Sequence, residues 1–215
     1  SYCLVKFYNG KLIDWKIEDI YSADGQLRGQ ISPPDEILHF LGQPSWYMRD
    51  ANWAADWPLT SARLLWFLEK ETGTKADGVI AVNLGTVQKL LAATGPLALT
   101  DLDETVSADD FFAKAEYSSE INFFAGSTAK KDFLGSVAKA ILEKLGGSSD
   151  KNWLALGRAA MSALEEKDIM FFFNSQEAQK AILENGWGGS VECQGNCLML
   201  VEANLGANKS NYFIK

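Results

Sequence analysis

The chain has little of what a metal or redox enzyme needs. Its 215 residues include one histidine, His39, and three cysteines, Cys3, Cys193 and Cys197. A zinc centre takes three or four His, Cys or carboxylate ligands, which argues against one here. A Ser-His-Asp triad would have to use His39, whose Leu38-His39-Phe40 setting reads as a partly buried structural histidine. Arginine is scarce as well: Arg28, Arg49, Arg63 and Arg158 are the full set. The formal net charge is −8. An acidic chain without a basic stripe does not neutralise phosphates, so no nucleic acid is expected as a partner. No apolar run reaches membrane-spanning length and no signal peptide is visible. A Gly-rich phosphate loop, a dinucleotide fingerprint and a Gly-x-Ser-x-Gly elbow are all missing. The carboxylate pairs Asp101/Asp103 and Asp109/Asp110 read as surface features and are unspecific for glycoside cleavage.

What is present is ample core. Apolar residues make up 47% and aromatics 12%, and the 22% that are charged form no long run. That composition excludes disorder and suits a single domain over 1–215. The chain opens without Met, directly in strand-like Tyr2-Cys3-Leu4-Val5-Lys6-Phe7. The expectation is a piece of a longer protein, incomplete at its N-terminus.

Alternating residues on both sides of Asn9-Gly10 predict an N-terminal antiparallel hairpin, with Cys3 as a small buried apolar residue. Pro33-Pro34 stops any strand, and 35–41 reads as a short helix. Thr60 or Ser61 can cap a helix that runs to 72, with Gly73 as its stop. An apolar run at 79–82 reads as a central strand, and 85–94 as a helix closed by Gly95-Pro96. That order suggests an α/β core with some parallel pairing. Helical patterns follow from 107, over 129–145 and over 151–167. A buried strand is expected at 169–173 and a helix to 184, capped by Asn174 with Glu177. Segments 191–193 and 198–201 read as arms of a hairpin. Together these predict a mixed sheet with helices on both faces.

The stretch from Arg49 to Ala62 is the strongest functional signal. It carries a cation, two carboxylates, an amide and two indoles just ahead of a helix. Arg49 with Asp50 is either a phosphate clamp, with the carboxylate holding a divalent cation, or an internal ion pair that orders the loop. Asp56 either caps the following helix, the commoner role, or ligates a metal. Trp53 and Trp57 either stack on a sugar or plug the core. A second candidate is the loop 204–211, with Asn204, Gly206 and Lys209; it is an anion pocket or a plain turn. A third is Lys130-Lys131 at a helix start, where cations oppose the macrodipole unless an anion is bound. Cys193 and Cys197 flank a Gly-Asn turn and are either a small disulfide loop, as an oxidising compartment would make, or two reduced thiols.

Several motifs together resemble a bacterial family known as domain of unknown function 4012. They are Asn9-Gly10-Lys11, Asp24-Gly-Gln-Leu27, Pro33-Pro34, Arg49-Asp-Ala-Asn-Trp53, Asp56-Trp-Pro58, Asp77-Gly-Val-Ile80, Thr94-Gly-Pro96, Gly186-Trp-Gly188 and Ala203-Asn-Leu-Gly206. That family is similar in turn to LytR-CpsA-Psr domains, and the resemblance implies an α-β-α sandwich. It also implies an extracytoplasmic, membrane-anchored envelope protein that binds a polyprenyl-pyrophosphate-linked glycopolymer or cell-wall polymer and, as a phosphotransferase, transfers it. On that reading Arg49, Asp50 and Asp56 form the catalytic centre. Arg28, Asn52, Lys130, Lys131, Asn204 and Lys209 bind substrate, and Asp50 or Asp56 holds Mg2+. The Arg-rich helix start of those transferases is reduced here to Lys130-Lys131. The alternative is a non-catalytic cell-surface binding or scaffold domain that keeps the fold and lacks the cation cluster.

Overall fold

The computed structural model describes residues 1–120, 129–147, 153–193, 195–196 and 198–201. In chain order the elements are β1 (Tyr2–Tyr8), β2 (Lys11–Glu18), α1 (Ile20–Asp24), α2 (Asp35–Leu41), a short 3-10 turn (Met48–Asp50) and α3 (Trp57–Thr72). There follow β3 (Gly78–Val82), α4 (Leu84–Thr94), β4 (Leu97–Leu99), β5 (Glu104–Val106), α5 (Phe111–Glu120), α6 (Ala129–Gly147), α7 (Trp153–Glu165), β6 (Ile169–Phe173) and α8 (Gln176–Glu184).

The chain is an α/β protein, and its hairpin forms as expected. Asn9 and Gly10 take φ of 47° and 74°, the left-handed pair a tight two-residue turn needs. β1 and β2 pair antiparallel from Tyr2↔Glu18 to Tyr8↔Lys11, with an irregularity at Lys6/Phe7. Cys3 is exposed, contrary to expectation, because Tyr2 and Leu4 of β1 face the partly covered side.

The expected mixed sheet is not what the described residues form. They make three two-stranded sheets, β1–β2, β3–β6 and β4–β5. β4 pairs β5 antiparallel across a three-residue register. At the ends of the third pair, Asn83 N–H donates to Asp168 O and Asn174 N–H to Asp77 O, so β3 and β6 run in opposite directions. β6 is half-buried along its length rather than fully covered. The described residues of 191–193 and 198–201 form no strand, so the expected second hairpin is absent among them.

Two compact units make up the chain. Unit 1 is Ser1–Asp19, Ile80–Phe171 and Glu184–Trp187. Its core gathers Leu91, Leu97, Leu99, Val106, Phe111, Ala115, Phe133 and Val137. Asn83 caps α4 by accepting from Thr86 N–H, and Phe111 stacks on Phe133 at 6.3 Å.

Unit 2 is Ile20–Val79, Phe172–Leu183 and the described residues of Gly188–Lys215. Its buried apolar residues are Ala23, Ile37, Met48, Ala51, Trp57, Phe67 and Leu68. α3 starts earlier than expected. Asp56, not Thr60 or Ser61, is the cap, and Pro58 sits in the first turn, where its missing N–H costs nothing. Gly73, at φ 72°, closes the helix as predicted. α2 turns only Ile37 inward, so His39 is exposed rather than partly buried.

Candidate functional site

The strongest polar cluster of unit 2 is centred on Arg49. The 3-10 turn sets Arg49 beside Asp50, and α1 and α3 supply Asp24 and Glu71. Arg49 Nη1 donates to Asp24 Oδ2 at 2.9 Å and Nη2 to Gln43 Oε1 at 3.1 Å. Its Nε forms an ion pair with Asp50 Oδ2 at 3.3 Å that lacks the alignment of a hydrogen bond. The guanidinium also lies over the Tyr47 ring at 4.5 Å and the Tyr21 ring at 5.8 Å. All three nitrogens of the fork, and its π surface, are therefore engaged inside the unit.

The anions outnumber this cation, and they are desolvated. The Asp24 side chain is 4% exposed, against 25% for Arg49. Glu71 is buried too, and its Oε1 accepts Met48 N–H at 2.9 Å. Burial pushes the Glu71 carboxyl up to about 7; the Met48 bond and Arg49 pull it down, and neighbouring Asp24 pushes it further up. Burial likewise raises Asp24, although the Arg49 bond opposes it, and raises Asp50 against the pull of Arg49. Three carboxylates thus surround one guanidinium, and burial disfavours the charged form of each.

Asp56 has two tasks on its two oxygens. Leu59 N–H donates to Oδ1 at 2.9 Å, capping α3, and Val191 N–H donates to Oδ2 at 3.0 Å. Trp57 N–H donates to Gly189 O at 3.1 Å. The α3 start and the segment after Gly188 are thus laced together, two motifs far apart in sequence. Trp57 is buried in the core and Trp53 is half-buried. Asn52 and Arg28 are exposed, and Arg28 is not part of the Arg49 cluster. Lys130 and Lys131 belong to α6 of unit 1, with side chains outside the described residues. Asn204, Lys209 and Cys197 lie outside the described residues. Cys193 is disulfide-bonded.

Asp50 and Asp56 do not fit a magnesium site as arranged. Asp50 faces the Arg49 cation, and both Asp56 oxygens accept backbone N–H groups. Mg2+ wants oxygen ligands free to approach to about 2.1 Å in an octahedron. Among the described residues no three His, Cys, Asp or Glu side chains are grouped to hold a metal ion.

Arg49 and Asp50 stand together in the sequence motif, but their partner Asp24 does not, and neither do Glu71 and Gln43. Glu71 carried a signal. It continues the 57, 60/61, 67/68 stripe that α3 buries, so a carboxylate falls on a core-facing helix position. Gln43 carried none, since its contact depends on how the chain turns after α2. Unit 1 holds a second unforeseen cluster, in which Lys89 pairs with Asp168 and with Glu166.

The elements are those of a mixed α/β protein, and the Arg49 cluster of unit 2 is built around α3. Residues 1–118 match the model of a family described as a protein of unknown function, DUF4012. That span is more than half of the 215 residues, and the chain belongs to this family. Neither the curated proteins nor the solved structures contain a match.

Proposed function

We propose that the chain is an extracytoplasmic cell-envelope domain that binds envelope polymer without transferring it, a scaffold rather than a phosphotransferase. The observation that carries this reading is the commitment of Arg49. A pyrophosphate needs several unspent donors. Recruiting Arg49 would strip a buried carboxylate, Asp24, of its cation. Breaking such a pair costs on the order of 3–5 kcal/mol, more than a solvated phosphate contact returns. The surplus of carboxylates around Arg49 also repels an anion. The disulfide at Cys193 supports an oxidising compartment. No described helix is long and apolar enough to cross a membrane; an anchor upstream remains part of the proposal.

The test is a transfer assay with a polyprenyl-pyrophosphate-linked glycan, peptidoglycan acceptor and Mg2+. The reading predicts no released polyprenyl phosphate above a protein-free control, with polymer retained in a sedimentation assay. Release by the wild type that Arg49→Lys abolishes, with folding intact by circular dichroism, would establish the phosphotransferase instead.

A further inference from the structure

Unit 1 contains an open cleft of about 500 Å³ that has no part in the Arg49 cluster. Its size lies in the range of small-molecule sites. One wall is apolar, formed by Trp15 and Ile17 of β2 with Leu102 from the β4–β5 turn. The other is polar: Asp132, Ser136 and Lys139 stand at i, i+4 and i+7 on one face of α6, with Asp101 from the turn. Gly135 sits between them, where a Cβ would lie 3.7 Å from Ile17 Cδ1, so the helix comes close to the strand and leaves the cleft floor low.

Lys139 Nζ donates to both Asp101 oxygens, at 3.2 and 3.0 Å. The two side chains stay 45% and 51% exposed. A half-exposed, charge-balanced pair keeps donor hydrogens and acceptor lone pairs for a ligand at no net charge. Among the described residues the lining holds two carboxylates, Asp101 and Asp132, against one ammonium, Lys139, a balance that disfavours polyanions.

An indole platform opposite a row of mixed donors and acceptors matches one ligand class. A pyranose ring has an apolar C–H face that packs on an aromatic and an edge of hydroxyls that both donate and accept. We propose that this cleft binds an uncharged saccharide chain, with Trp15 stacking on a sugar ring and Asp101, Asp132 and Lys139 bonding its hydroxyls. The proposal is independent of the Arg49 reading, because it involves neither phosphate nor any residue of unit 2.

The test is an NMR titration of the full chain with chitohexaose and cellohexaose, both uncharged, and with a heparin hexasaccharide as the polyanionic comparison. Saturable binding of at least one uncharged oligosaccharide is expected, with shifts confined to the β2, β4–β5 turn and α6 amides and none with heparin. Trp15→Ala should weaken binding about threefold to tenfold, the scale of one lost aromatic contact. Trp15→Tyr, which keeps a ring on β2, should retain most of it. Asp132→Asn, on the solvent side of α6, should weaken it severalfold without changing the fold. No saturable binding by the wild type, or preference for heparin, or undiminished binding by folded Trp15→Ala, would overturn the proposal.

Discussion

Glu71→Gln offers the sharpest test of the buried acidic cluster. Glutamine keeps the volume and the acceptor for Met48 N–H but cannot ionise. In the folded protein the Glu71 carboxyl sits near 7, against 4.5 for an exposed glutamate. The folded state therefore binds more protons than the unfolded state between those values, and stability falls as pH rises through the window. Below 4.5 both states are protonated and no difference arises; above 7 the full cost is present. A shift of about 2.5 units at about 1.4 kcal/mol each corresponds to roughly 3 kcal/mol. The side chain is buried, so solvent screening reduces that little. Urea unfolding of both proteins, followed by tryptophan fluorescence from pH 4.5 to 8.5, measures it. The two should be nearly equal at pH 4.5, and the variant should be more stable by about 3 kcal/mol at pH 8.5. A difference that does not change with pH would refute the account of Glu71.

Arg49→Ala should destabilise unit 2 by about 3–5 kcal/mol at neutral pH, with a smaller loss in acid where Asp24 protonates, read by the same unfolding curves. Asp56→Ala removes both the α3 cap and the Val191 tie, a loss of about 1–2 kcal/mol; Asp56→Asn should recover part of it. Gly78→Ala should lower the thermal midpoint sharply, because its Cβ would stand 2.4 Å from Phe172 O and 2.6 Å from Phe173 Cδ1. Alkylation without reductant should label Cys3 alone, and labelling after reduction should reach all three cysteines, by intact mass.

What could be read in advance was local. Asn9-Gly10 dictates its turn because both residues must take positive φ, and Gly73 ends α3 for the same reason. The α3 start was misplaced because Pro58 looks like a breaker, although a helix tolerates proline in its first turn. Apolar neighbours suggest burial for His39, and strand alternation suggests it for Cys3, whereas a seven-residue helix and a two-stranded sheet each leave one side open. Pairings between distant segments were not legible. Asp24 meets Arg49 across 25 positions, and Val191 meets Asp56 across 135. The direction of β3 against β6 is set by hydrogen bonds at their ends, which no periodicity encodes.

Arg49 is held by its own carboxylates, and its side-chain Nε–Hε resonance reports this directly. Assigned with Arg49→Lys and followed while inorganic pyrophosphate and Mg2+ are titrated, it should stay where Asp24 and Asp50 place it, whatever the other three arginines do. A saturable shift of that resonance would mean the guanidinium is free to hold phosphate, and would return the domain to the transferases.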